Sequence, residues 1–320
     1  MLNMKIYFRY FIYLLVILVL SACRSTWNHP FPDAEIVYQT GTFSQTRIGF
    51  VNVAGSNPVI LKVGGYLRKP VWSSDSSLIY GLSFGTPNDM IGYPSFWSKD
   101  GGFKLCENWE HMTWIEGTGN PNNSKEVVIS DARKILLVDL TECTLIKTLV
   151  DFSKSPDEKS RYVVGFSLSP DRRELLFGTQ VSEMYEENGQ TYRWSENRII
   201  KKDLITWEEV DMVRGMNPSW SPDGSYIAYI LADGIYIMNA DGTQSRQLVN
   251  HMLGDPRPGM PIGQDDISIP RWSPDGQWIV YSRWNEEVDT ASKSTIYKVN
   301  VPNGYEEEIA NDGIYPSWKP

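Results

Sequence analysis

Three histidines, His29, His111 and His251, are the whole supply of imidazole in this chain of 320 residues. A zinc site needs three or four converging ligands, which speaks against a metal centre here. Asp255, Asp265 and Asp266 follow His251 closely and are the candidate carboxylates for an enzyme site. Set beside His111 or His251 in one cleft, they could act as acid and base on a glycan or a peptide, provided the groups stand a few Å apart. Spacing along the chain does not establish that convergence, and the plainer reading makes all three histidines polar loop residues. The other signatures of catalysis are missing: no Gly-x-Ser-x-Gly elbow, no His-Glu-x-x-His, no glycine-rich phosphate loop and no cysteine cluster. The expectation is therefore no catalytic residue, no metal and no cofactor, with an enzyme acting at a carboxylate and histidine site kept as the alternative.

Cysteine offers a different chemistry. Lys5 and Arg9 precede the apolar run 11–20, and Leu20-Ser21-Ala22-Cys23 closes it. That segment reads as a processing signal rather than as part of a fold. The four residues resemble the lipobox of bacterial lipoproteins, which implies a diacylglycerol on the Cys23 sulfur and a protein held outside the inner membrane. Arg24 stands where an aspartate would mark inner-membrane retention, which favours the outer membrane. An uncleaved membrane anchor is the other reading, and the apolar run is shorter than the ~20 residues a span needs. The division is then a signal at 1–23, a short tether at 24–30 and one domain at 31–320. Cys106 and Cys143 remain, in an oxidising compartment that permits a bridge. The sequence leaves open whether their Cα atoms come within reach.

The elements that must carry these groups announce themselves by repetition. In Asn217–Asn250, the run PSWS ends at the turn Pro222-Asp223-Gly224, whose proline and glycine suit successive turn positions. Tyr226–Ile230 is an apolar run of strand length, fit for burial on both faces. Ala232-Asp233-Gly234 leads to Ile235–Met238, and Asn239–Gly242 leads to Arg246–Val249. Four antiparallel strands in about forty residues make one propeller blade where the unit recurs. It recurs at Trp272, Phe166 and Trp72, in degenerate form at Trp114, and as a lone first strand at Trp318, in steps of 42 to 54 residues. The three strands missing after Trp318 stand at the other end of the chain: Glu35–Gln39, Arg47–Val53 and Pro58–Val63. Joining the ends completes one blade from both termini and removes the open edges of the ring. The sequence thus predicts an all-β, six-bladed propeller, with no long helix after the signal.

WSPDGSYIAY and WSPDGQWIVY resemble the TolB-type, WD-repeat-like β-propeller repeat of bacterial envelope proteins. The resemblance runs from about residue 31 to residue 320 and implies the propeller. The N-terminal α/β domain that the resemblance would also imply has no room before Glu35.

A net charge of −9 argues against nucleic acid and anionic lipid as partners, since both call for a basic surface. Five of the twelve tryptophans are accounted for by the repeat and belong to the core. What remains is recognition. In an up-and-down blade, first-to-second and third-to-fourth turns share one face, and these are tight. Second-to-third loops and the links between blades share the other, with insertions at Ser83–Ser95, Val181–Asn197, Trp284–Lys293 and His251–Ile267. Long loops in a compact domain are usually functional. This face carries Tyr185, Tyr192, Trp194, His251, Arg257, Asp265 and Asp266, with Trp109, His111, Arg161 and Arg214 around the channel mouth. The reading is a monomeric, non-catalytic binding or scaffolding lipoprotein of the cell envelope. Its partners would be an envelope protein or glycan, and the membrane through its lipid anchor.

Overall fold

The computed structural model describes residues 31–41, 46–56, 58–61, 66–84, 92–98, 102–109, 111–120, 122–153, 161–187, 190–231, 234–250, 269–284 and 294–320. Cys23, His251, Arg257, Asp265 and Asp266 lie outside them, as do the 251–267 link and most of the insertions after Ser83 and Trp284.

The chain winds six four-stranded antiparallel blades. Blade one holds β1 (Ile36–Thr40), β2 (Arg47–Val51) and β3 (Val59–Leu61), and its innermost strand comes from the far end of the chain. Blade two is β4 (Tyr66–Trp72), β5 (Leu78–Phe84), β6 (Tyr93–Ser98) and β7 (Phe103–Leu105). Blade three is β8 (Trp114–Gly117), β9 (Glu126–Ser130), β10 (Lys134–Asp139) and β11 (Thr144–Asp151). Blade four is β12 (Tyr162–Leu168), β13 (Glu174–Glu187), β14 (Gln190–Asp203) and β15 (Glu209–Arg214). Blade five is β16 (Met216–Trp220), β17 (Tyr226–Leu231), β18 (Gly234–Asn239) and β19 (Arg246–Asn250). Blade six is β20 (Arg271–Trp272), β21 (Trp278–Trp284), β22 (Ser294–Asn300) and β23 (Glu306–Asn311). The last strand, β24 (Ile314–Trp318), closes blade one against β1, with Ile36 opposite Trp318 and Val37 opposite Ser317. The Lys319 amide donates to the Glu35 carbonyl just beyond the pairing, at 2.6 Å.

The first turn of each regular blade is held by a serine and an aspartate two residues apart. In blade five the Ser221 hydroxyl donates to Asp223 at 2.6 Å and accepts from the Tyr226 amide at 2.9 Å. Asp223 also accepts from the Ser225 amide of its own turn. Ser73 with Asp75, Ser169 with Asp171 and Ser273 with Asp275 repeat the arrangement. These aspartates serve their own turns.

The same register corrects two anchors. Trp72, Trp220 and Trp272 pair with Ile79, Ile227 and Ile279 directly across the first turn. In blade four the residue so placed is Leu168, opposite Leu175, and in blade three it is Gly117, opposite Val127. Phe166 and Trp114 are therefore two and three residues out of phase with the repeat. They look like anchors because both are buried aromatics on innermost strands, but they fill the core between blades three and four.

Anchors also lock neighbouring blades. The Trp272 indole donates to the Ser219 carbonyl at 3.1 Å and the Trp318 indole to the Arg271 carbonyl at 3.0 Å. The Trp220 amide donates to Ser167 Oγ, and the Trp72 amide to Ser317 Oγ. In each case the acceptor stands one residue before the neighbouring blade's anchor, or before the residue that replaces it. Apolar clusters fill the spaces between successive blades, with Tyr38, Tyr80, Tyr229 and Tyr281 of the second strands fully buried. Tyr226 departs from the expectation of burial on both faces: it opens β17 and is exposed, while Ile227–Ile230 are buried.

Candidate functional site

The innermost strands line the axis, and bulges in them decide what enters it. Lys69, Asn217 and Tyr315 each stand three residues before an anchor and carry left-handed φ values of 55°, 50° and 53°. Glycine takes that place in β12, where Gly165 has φ 87° and a Cβ would lie 2.5 Å from Asn217 Oδ1. Pairing slips by a residue around Lys69, Gly165 and Asn217, as in a β-bulge, which re-aims the side chain. Lys69 Nζ consequently sits 3.5 Å from the Trp114 ring centroid and 5.1 Å from that of Tyr315, and donates to the Thr113 carbonyl at 2.9 Å. Cation–π attraction of this kind strengthens when water is excluded.

A second contact crosses the axis. Arg271 of β20 donates to the carboxylate of Glu116 of β8, and these strands belong to opposite blades. Burial pushes the Glu116 carboxyl above the usual carboxylate range, and the Arg271 guanidinium pulls it back. Beside them, between Lys69, Trp114, Ile269 and Tyr315, about 10 Å³ of cavity remains, which is at the threshold for one water. At this level the axis is filled by side chains. The expected channel mouth is thus a floor formed by Lys69, Glu116 and Arg271, and none of the three is prominent in the sequence. A charged or bulge-prone residue shortly before an anchor is the signal that would have pointed to Lys69 and Arg271.

The face reached by the blade-to-blade links holds the remaining described candidates. Trp109 and His111 share the link from blade two to blade three: Trp109 packs half-buried on the core there, and His111 is exposed with φ 65°. Arg161 ends the next link, 5.8 Å from the Phe152 ring. Arg214 ends β15 and pairs with Glu196 at 2.9 Å, which also pairs with Arg198 at 3.1 Å. Arg198 reaches Asp211 as well, at 2.8 Å. The candidates thus fall on three successive links of one face rather than converging on one point.

Val181–Asn197, expected as a loop, is instead an extension of two strands. β13 and β14 pair without interruption from Glu174–Asp203 to Glu187–Gln190, with Tyr185 opposite Tyr192 and Glu183 opposite Trp194. Their neighbours stop sooner: β12 pairs only as far as Gln180, and β15 only from Arg198. The hairpin therefore continues beyond the blade as a two-stranded ribbon, with the Glu196–Arg214 pair at its foot. Thr179, Thr191 and Tyr192 give it β-branched and aromatic content that suits a strand.

The opposite face, where the tight turns lie, carries clefts that no sequence motif marks. One of about 430 Å³ lies between blades five and six, with Asp223, Tyr226, Gln244, Arg246, Trp272 and Gln277 among its walls. Tyr226 stacks on Trp272 there, with centroids 6.5 Å apart. Another, of about 350 Å³, lies between blades three and four beside Glu126, Lys147 and Arg172. Among the described residues, no group of three histidine, cysteine or acidic side chains is placed to hold a metal ion.

This architecture matches known proteins. TolB from Acinetobacter baumannii superposes with a TM-score of 0.64 at 14% identity, over 89% of this chain and 66% of that one. The fold is that of a TolB-type propeller. The ring accounts for the shared part, and the chain spans about two thirds of the length of that TolB. Residues 169–316, from the first turn of blade four into β24, match the family described as the dipeptidyl peptidase IV (DPP IV) N-terminal region. This chain is similar also to a chain of the nidogen/laminin complex, with a TM-score of 0.57 at 8% identity, covering 89% of this chain and 97% of that one. A functionally unknown protein from Desulfotomaculum acetoxidans gives 0.54 at 12%, covering 89% and 99%. At these identities the likeness is one of fold. No curated protein is significantly similar in sequence.

Proposed function

We propose that this TolB-type propeller is a non-catalytic binding or scaffolding lipoprotein of the bacterial cell envelope, and that it recognises an envelope protein or glycan through the face of the links and the ribbon. The observation that carries this reading is the ribbon itself. From Val181 to Glu187 and from Thr191 to Glu196 the two strands pair with each other beyond the reach of β12 and β15, so both edges offer backbone groups to an incoming strand. Edges of this kind are hazards in a monomer unless they are used, and strand addition is a common mode of peptide recognition. Arg161, Trp109 and His111 on neighbouring links would contribute side-chain contacts beside it. The Cys106–Cys143 disulfide, with Cα atoms 5.3 Å apart, suits an oxidising compartment outside the inner membrane.

The test replaces 182–195 with a two-residue turn and repeats partner capture from solubilised envelope. The expected result is an unchanged melting temperature with loss of the captured partner. Retained capture, lost instead on substituting the Pro-Asp-Gly turns, would assign recognition to the opposite face.

A further inference from the structure

The first described residues of the chain enter the ring through the turn face. Phe31–Glu35 forms the first turn of blade one: Phe31 packs against Trp72 with centroids 5.4 Å apart, and Lys319 Nζ lies 3.8 Å from Asp33. Between Cys23 and Phe31 stand only seven residues, 24–30. However they are arranged, they span at most about 30 Å. A blade strand of five to seven residues is itself about 20 Å long, and β2 and β3 set the rim of blade one about another 10 Å out from the entry at β1. A tether entering on the turn face and passing around the rim would use up all of that reach before the link face met a membrane, so the short path brings the turn face to it.

The surface at that end is suited to a bilayer. Ile205, Trp207 and Tyr305 stand in third-to-fourth turns with 69%, 43% and 58% of their surface exposed. Val59, Leu145 and Val210 are exposed where the outer strands leave such turns, and Tyr226 is exposed where β17 leaves its own. The apolar groups therefore recur on five of the six blades at one end of the ring. Trp207 is presented from a left-handed position, φ 67°, with Lys147 and Lys202 ammonium groups 4.3 Å and 5.2 Å from its ring. Tryptophan and tyrosine beside lysine is the combination that settles at the headgroup level of a membrane. Asp171, Asp223, Asp241 and Asp275 share this face, so the surface suits zwitterionic rather than anionic lipid.

We infer that the turn face of the propeller lies against a zwitterionic phospholipid bilayer, with the ribbon directed away from it. This orientation rests on the lipid anchor in the proposed function and adds a second, weak membrane contact to it. A single lipid-modified site and a shallow apolar surface together give steadier attachment than either alone.

The full chain, extracted from membranes and reconstituted in phosphatidylcholine–phosphatidylethanolamine vesicles, tests this. Single-label variants Asn303→Cys and Asp241→Cys report on the turn face and Glu186→Cys on the ribbon tip, read by quenching from headgroup-nitroxide lipid. Quenching several-fold stronger at positions 303 and 241 than at 186 is expected, and Ile205→Glu combined with Trp207→Glu should reduce it without releasing the protein. Equal quenching at all three positions, or stronger quenching at 186, overturns the orientation while leaving an acylated Cys23, seen by mass spectrometry, in place. A chain found wholly in the soluble fraction removes the anchor and the orientation together.

Discussion

Glu116 and Arg271 meet across the axis of the ring, one from blade three and the other from blade six. Opposite blades share no strand pairing, so this ion pair ties the two halves of the propeller directly. Its Glu116 side chain is almost wholly enclosed, and removing one member leaves the other charged and stranded. We expect Glu116→Ala and Arg271→Ala each to cost about 3–5 kcal/mol in urea unfolding, the usual penalty for breaking a buried pair. Glu116→Leu with Arg271→Met should recover most of that loss, because the apolar pair needs no compensation. Single substitutions within about 0.5 kcal/mol of the parent, the range of plain surface changes, would show the pair to be an incidental contact.

Closure by β24 gives the second expectation. Blade one has its innermost strand only through Ile314–Trp318, and that strand also supplies Ser317 to the Trp72 amide and the Trp318 indole to blade six. Deleting residues 314–320 should abolish the cooperative transition rather than fray a tail, since blades one, two and six lose contacts at once. An unchanged melting temperature by circular dichroism would refute closure as the source of stability.

The repeat was legible because each blade spells its own turn. Ser-Pro-Asp-Gly before an apolar run marks the first turn twice without ambiguity, and the orphan strands at the two ends can be joined in one way. Blade three is hard to phase from sequence because Gly117 replaces the anchor tryptophan while Trp114, three residues earlier, offers a false one. The ribbon looks like a loop in the sequence because Glu186–Asn188 and Gly189 resemble a polar insertion, and only pairing reveals fourteen continuous rungs. The Cys106–Cys143 bridge depends on how blade two packs on blade three, which no local pattern encodes. Glu116 and Arg271 are 155 residues apart and carry no motif. Their pairing is a product of ring closure alone.

The turn aspartates set the response to acid. The Ser221 hydroxyl, then the Ser225 amide, hold Asp223 below the usual carboxylate range, and Ser273 with the Gln277 amide do the same for Asp275. Asp171 is lowered by Ser169 and the Arg173 amide. At Asp75 burial pushes upward, but Ser73 and the amide and hydroxyl of Ser77 prevail and bring it down to about 2. A depressed carboxylate binds its proton less readily in the folded state, so its contribution is complete above the unfolded value of about 3.9 and disappears as pH falls towards 2. Stability should therefore fall with a steep limb between about pH 4 and pH 2. Replacing all four by asparagine keeps an acceptor oxygen in each turn but removes the titration, so the variant should lose only modestly at pH 7 and show a flatter acid limb. Equal slopes for parent and variant in pH-resolved urea unfolding would place the acid response elsewhere, in carboxylates outside these turns.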